Sequence, residues 1–98
     1  MSELFHTIYA IENRISGRVY VGRTYYAGKD RFKAHYLNPK TELGREMRAL
    51  GKHNFKIKVL AEVPKRDAGG MERLFIHLLE ANDPQFGYNS PKVYPVPQ

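Results

Sequence analysis

Tyr9, Tyr20, Arg31, His35 and Glu72 are side chains of this 98-residue chain whose types and spacing could do chemistry together. The two phenols fall in short β-like runs, TIY at 7–9 and YVG at 20–22. Alternate side chains of a strand point to opposite faces. If Ile8, Ala10, Val19 and Val21 share the core face, register therefore puts Tyr9, Ile11 and Tyr20 on the other, with Ile11 a sign that this face is covered too. Arg31 and His35 are spaced i, i+4, one face of a helix. A guanidinium can hydrogen-bond two oxygens of an anion, and histidine titrates nearest neutral pH. Glu72 lies at the edge of an apolar helical stripe and offers the oxygen donor that hard cations take. Each residue also has a plainer reading: ordinary strand aromatics, a surface arginine near Asp30, a structural histidine, and a carboxylate in the first turn of its helix, where the macrodipole favours it.

The elements that must position them follow from local pattern. FHTIYAIE (5–12) and RVYVG (18–22) flank NRISG, whose Asn13, Ser16 and Gly17 suit a turn, so a hairpin is expected. After the polar loop GRTYYAGKD, Asp30 can cap a short helix beginning at Arg31, with Phe32 and Tyr36 on a second face and Asn38-Pro39 as its end. TELGREMRALG reads as a helix with Thr41 as N-cap, Leu43, Met47 and Leu50 as its stripe and Gly51 at its C-terminal turn. NFKIKVLAEV reads as a strand in which Phe55, Ile57 and Val59 alternate with Lys56 and Lys58 until Leu60 breaks the pattern. From about Asp67 to Glu80, Met71, Leu74, Phe75, Leu78 and Leu79 carry the strongest helical period, although Gly69 and Gly70 weaken the start and could delay it to Met71. DPQFGYNSPKVYPVPQ is expected to run extended over the surface. The order β-β-α-α-β-α predicts an α+β fold, a small, mainly antiparallel three-stranded sheet flanked by helices.

At 98 residues one domain is expected, 1–90, with 91–98 a proline-rich tail. No cysteine is present, which rules out a disulfide framework or a cysteine-based zinc site. His6, His53 and His77 lack zinc-ligand spacing and are read as structural. No apolar run approaches a membrane span and no signal-peptide core is visible, so a cytoplasmic protein with no membrane partner is expected. The net charge of +6 points to a polyanionic partner. Arg23, Lys29, Lys52, Lys56 and Lys58 could follow a nucleic-acid backbone, and Tyr25, Tyr26 and Tyr36 could stack on bases.

With TIY at 7–9, YVG at 20–22, Arg31 and His35 on the next helix, MERLFI at 71–76 and GYN at 87–89, the chain resembles the GIY-YIG nuclease family over about residues 5–90. Thr7 stands where the family name has glycine and Val21 where it has isoleucine, and neither change removes a reacting group. Some relatives carry a further histidine after the first helix; NPKTELG offers only Lys40 and Thr41 there. The resemblance implies that Glu72 is the sole protein ligand of one Mg²⁺ or Mn²⁺ and that Arg31 contacts the scissile phosphate. It further implies that His35 hydrogen-bonds the tyrosines or relays a proton, and that Asn89 supports the site by hydrogen bonds. Tyr9 is implied as general base and Tyr20 as a positioner of water or phosphate, a division the residues leave open. A phenol with a pKa of roughly 10 suits that task only if Arg31 and the metal lower it.

The implied function is a divalent-metal-dependent DNA endonuclease cutting one strand per site, on single-stranded or duplex DNA, with targeting supplied by its own loops or by a protein partner. The alternatives are a non-catalytic nucleic-acid-binding module, a partner-activated nuclease subunit, and a basic adaptor for an acidic protein. Backbone binding alone has no use for Glu72. Recognition sequence and oligomeric state are not written in the residues.

Overall fold

The computed structural model describes residues 4–25 and 28–90, the side chains of residues 28 and 29 excepted. β1 (Phe5–Asn13) and β2 (Val19–Thr24) make the expected hairpin, which turns at Gly17 with φ of 80°, a conformation glycine adopts without strain. α1 (Gly28–Leu37) and α2 (Glu42–Leu50) follow, then β3 (Phe55–Pro64) and α3 (Lys65–Leu78). The sheet order is β2-β1-β3 and both pairings are antiparallel, so β1 is the central strand of a three-stranded sheet. This is the α+β order read from the sequence.

Being central, β1 is covered on both faces. Ile8 packs with Val21, Ala68, Ile76 and Ala81 on the α3 side, while Tyr9 and Ile11 pack with Leu43, Met47 and Phe55 on the other. Tyr9, Ile11 and Tyr20 do share a face, with Ile11 directly opposite Tyr20. The break at Leu60 is a β-bulge: Ile8 faces Ala61 and Tyr9 faces Val59, leaving Leu60 as the extra residue. Before the bulge Phe55 and Ile57 join the Tyr9 cluster. After it Ala61 and Val63 join the Ile8 cluster. Val59, expected to alternate inward, is 61% exposed.

Three helical expectations are corrected. α1 begins at Gly28, so Asp30 lies inside its first turn and is not its cap. α3 begins at Lys65, straight after Pro64 ends β3, because two glycines weaken a helix without preventing one that is packed against a sheet. Its buried seam is also phased earlier. Ala68 and Ile76 are buried and Met71 and Phe75 pack against the core, whereas Leu78 is 61% exposed. Positions 68, 71, 72, 75 and 76 follow the i, i+3, i+4, i+7, i+8 rule, so Glu72 occupies a seam position, in the middle of the helix and not in its first turn. α2 matches expectation at its start, where the Thr41 hydroxyl accepts from Gly44 N at 3.1 Å, and Leu43 and Met47 are buried; Leu50, at its end, is exposed.

The segment after α3 is not a free surface tail as far as residue 90. Val19 N donates to Phe86 O, and Tyr88 N donates to Val19 O, so residues 86–88 cover the outer edge of β2. The remainder of the expected tail, 91–98, lies outside the described residues.

Candidate active site

Tyr9 is supplied by the central strand and is fully buried. Its cross-strand partner is Gly22. A Cβ at Gly22 would run into the Tyr9 hydroxyl and the Tyr20 ring, so this glycine is what lets the two phenols approach to 6.2 Å between ring centres. α1 lies over them and brings His35, buried, with Nε2 at 2.8 Å from the Tyr9 hydroxyl. The same imidazole meets Tyr20 edge-on at 4.7 Å. A phenol hydroxyl can donate to or accept from an imidazole nitrogen, so the direction of the Tyr9–His35 bond follows the His35 tautomer. One helical turn earlier, Arg31 lies close enough to act electrostatically on both Tyr9 and Tyr20. Arg31 Nε is buried and has no hydrogen-bond partner.

Burial dominates the electrostatics. It holds the His35 pKa down at about 4, with the neighbouring Arg31 charge acting in the same direction, so the imidazole is neutral at pH 7. Tyr9 is pushed above the ordinary phenol value by burial, which outweighs the opposing influence of Arg31. The sequence-based requirement that Arg31 lower this phenol is therefore not met by Arg31 alone. Tyr20 is pushed well above its ordinary value by burial, then by Tyr9 and Glu72.

Glu72 completes the group from α3. Its carboxylate acts electrostatically on both phenols and lies 3.8 Å from Arg23 Nε. Burial raises its pKa even though Arg23 and Arg73 pull it down. This half-buried anion is thus incompletely compensated, and a hard divalent cation would supply the missing charge. Among the described residues no grouping of three or more His, Asp or Glu could hold a metal. Magnesium commonly accepts one or two carboxylates, several waters and substrate phosphate oxygens, so the donor set fits.

The other expected site residues are placed differently. Asn89 does not reach the phenols. Its Oδ1 accepts from Val21 N at 2.8 Å and its Nδ2 donates to Val21 O at 2.9 Å, which fixes the β2 backbone between Tyr20 and Gly22. Arg23 is engaged by Glu72, and Gly69 leaves it room. Lys58 pairs with Glu12 at 3.3 Å, so part of the basic track on β3 is neutralised, while Lys56 is exposed. Tyr25 is exposed and meets His6 edge-on at 4.4 Å. Tyr26 and the side chain of Lys29 lie outside the described residues.

Sequence reasoning missed one polar network. Asn13, buried, donates to the Tyr88 hydroxyl at 2.9 Å; Tyr88 donates to Glu46 at 3.0 Å; Arg18 bridges Glu42 and Glu46 and lies over the Tyr88 ring. It ties the hairpin turn to α2 and the C-terminal segment. The only sequence signal was a pair of glutamates at i, i+4 on α2, which is too common to single out a partner.

The family model for the GIY-YIG catalytic domain matches residues 5–89. Among solved structures, the chain is similar to the catalytic domain of the homing endonuclease I-TevI, with 26% identity and a TM-score of 0.69 over 87% of this chain and 97% of that one. A mutant form of the catalytic domain of the intron endonuclease I-TevI matches in fold, with 23% identity and a TM-score of 0.69 over 92% of this chain and 99% of that one. No curated protein matches.

Proposed function

The chain belongs to the GIY-YIG family, and from that premise we propose that it is a divalent-metal-dependent endonuclease that hydrolyses DNA phosphodiester bonds, one strand per site visit. The observation carrying this reading is the convergence of Tyr9, Tyr20, Arg31, His35 and Glu72, drawn from four separate elements, on one electrostatically coupled group. A fold-preserving binding module would not need the half-buried Glu72 carboxylate.

In this reading water attacks the phosphorus and the bond to the 3′ oxygen breaks, the leaving oxygen taking its proton from solvent. The water proton passes to the Tyr9 oxygen while the Tyr9 proton passes to His35 Nε2, so no free phenolate need form in the resting enzyme. An arriving phosphate offsets the Arg31 charge and raises the basicity of His35 at that moment. Arg31 holds the phosphate through its guanidinium and neutralises charge that develops on it. Tyr20, a phenol throughout, hydrogen-bonds the water or a phosphate oxygen. Asn89 acts indirectly, by holding the Tyr20–Gly22 backbone. Glu72 would hold a Mg²⁺ or Mn²⁺ ion, which would supply charge neutralisation for the leaving oxygen.

The test is incubation of end-labelled single-stranded and duplex DNA with the purified protein and Mg²⁺ or Mn²⁺, with an EDTA arm. Metal-dependent products with 5′-phosphate and 3′-hydroxyl ends are expected. Salt-sensitive DNA binding with no cleavage of either substrate would overturn the reading in favour of a binding module.

A further inference from the structure

We propose that the pocket lined by Phe32, Lys33, Tyr36, Leu37 and Lys52 seats one unpaired nucleobase of the strand being cut, beside the scissile phosphate. The proposal rests on the nuclease reading and deepens it, because it names the substrate as DNA that is single-stranded or locally unpaired at the site.

Position comes first. Phe32 and Tyr36 each follow directly a residue of the active-site face, Arg31 and His35, on the same helix. One residue along an α-helix turns about 100°, so the pocket opens beside the phosphate-facing side of α1. Both rings pack one side against the cluster that holds Tyr9 and leave another side to line the pocket. At about 320 Å³ the cavity is near the small end of ligand pockets, which run from about 300 to 1,000 Å³.

Its chemistry matches an aromatic ring carrying a phosphate. Two aromatic side chains form the walls, and Leu37, 58% exposed, gives an apolar rim. Lys33 and Lys52 are exposed cations with no carboxylate partner among the described residues. Lys52 Nζ stands over the face of the Tyr36 ring, 5.4 Å from its centre, so a base stacking there takes the place of the ammonium, whose flexible stem lets it turn to the phosphate of that nucleotide. Every base has a face for such stacking, whatever its identity. A base inside a duplex has both faces covered and must leave the stack to enter.

The experiment separates this seat from general attraction to a polyanion. A fluorescent single-stranded DNA 12-mer is bound by the protein in EDTA, and one abasic nucleotide, which keeps the charge, is moved along it. For the wild type, affinity is expected to fall roughly tenfold or more at one position. In Tyr36→Leu that position-specific penalty disappears. Leu37→Glu, at an exposed site that folding does not depend on, puts a carboxylate in the pocket and is expected to remove the penalty as well. A flat abasic scan for the wild type, or a penalty unchanged in both variants, overturns the proposal. Cleavage with a flat scan sinks the base seat and leaves the nuclease reading standing. A position-specific penalty without cleavage does the reverse.

Discussion

At the scale of single residues, the account turns on one short contact, Tyr9 to His35 Nε2 at 2.8 Å in a buried setting. Tyr9→Phe removes the hydroxyl and leaves the buried His35 Nε2 without its partner, which should cost about 1–3 kcal/mol of stability. Cleavage should fall by about 10²–10⁴ while DNA affinity changes little, as single-turnover rates and binding isotherms would report. His35 gives a pH prediction with a definite sign. Its folded pKa, about 4, is below the ordinary 6.5, so the unfolded chain binds the extra proton between those values. Stability should therefore fall as pH drops from about 6.5 towards 4, by at most about 3 kcal/mol from this group. Denaturant melts of wild type and His35→Asn across that window check it: the wild-type slope should be the steeper. That Tyr9 and Tyr20 share a face was legible because strand register sets it. The protonation states of Tyr9 and His35 were not, since their burial depends on α1 closing over the hairpin, which no local pattern encodes.

At the scale of elements, α1 and α2 set the position of His35 through Gly44. A Cβ at Gly44 would meet the carbonyl oxygens of His35 and Asn38, backbone atoms that can yield only if α1 shifts. Gly44→Ala should cost about 1–3 kcal/mol in melting experiments, and cleavage should fall further than the folded fraction does. Asn89→Ala removes two hydrogen bonds to Val21 and should cost about 1–3 kcal/mol. Faster hydrogen exchange at the Val21 amide is the direct readout. Elements and their order were readable from periodicity and turn residues, including the break at Leu60. The phase of α3 was not. Leu78 and Leu79 extend an apolar period that solvent receives, whereas the sheet takes the seam one turn earlier, with Ala68 and Ile76 buried and Glu72 between them. Only the depth of the groove on the sheet could have said which of two overlapping stripes would be used.

At the scale of the whole molecule, a chain with net charge +6 surrounds the site with cations but spends several of them internally, on Glu42, Glu46, Glu12 and Glu72. Net charge was legible in composition, and its internal pairing was not, because it depends on which strands become neighbours. Among the described residues no helix is long and apolar enough to cross a membrane. The proposed function requires that Glu72, a carboxylate whose pKa burial raises against the pull of Arg23 and Arg73, binds a divalent cation. Burial raises its pKa, so neutralising it should not weaken the metal-free fold: Glu72→Gln should melt at or above the wild-type temperature in EDTA. Adding Mg²⁺ or Mn²⁺ should raise the wild-type melting temperature and leave the variant's unchanged. The measurement to make first sets wild type beside Glu72→Gln, scoring cleavage and binding of the same end-labelled DNA with and without Mn²⁺. Metal-dependent cutting by the wild type, lost in a variant that binds the DNA as well as before, is the result expected. Equal cutting by both proteins, or cutting that survives EDTA, would contradict the assignment of Glu72 and the metal-dependent chemistry built on it.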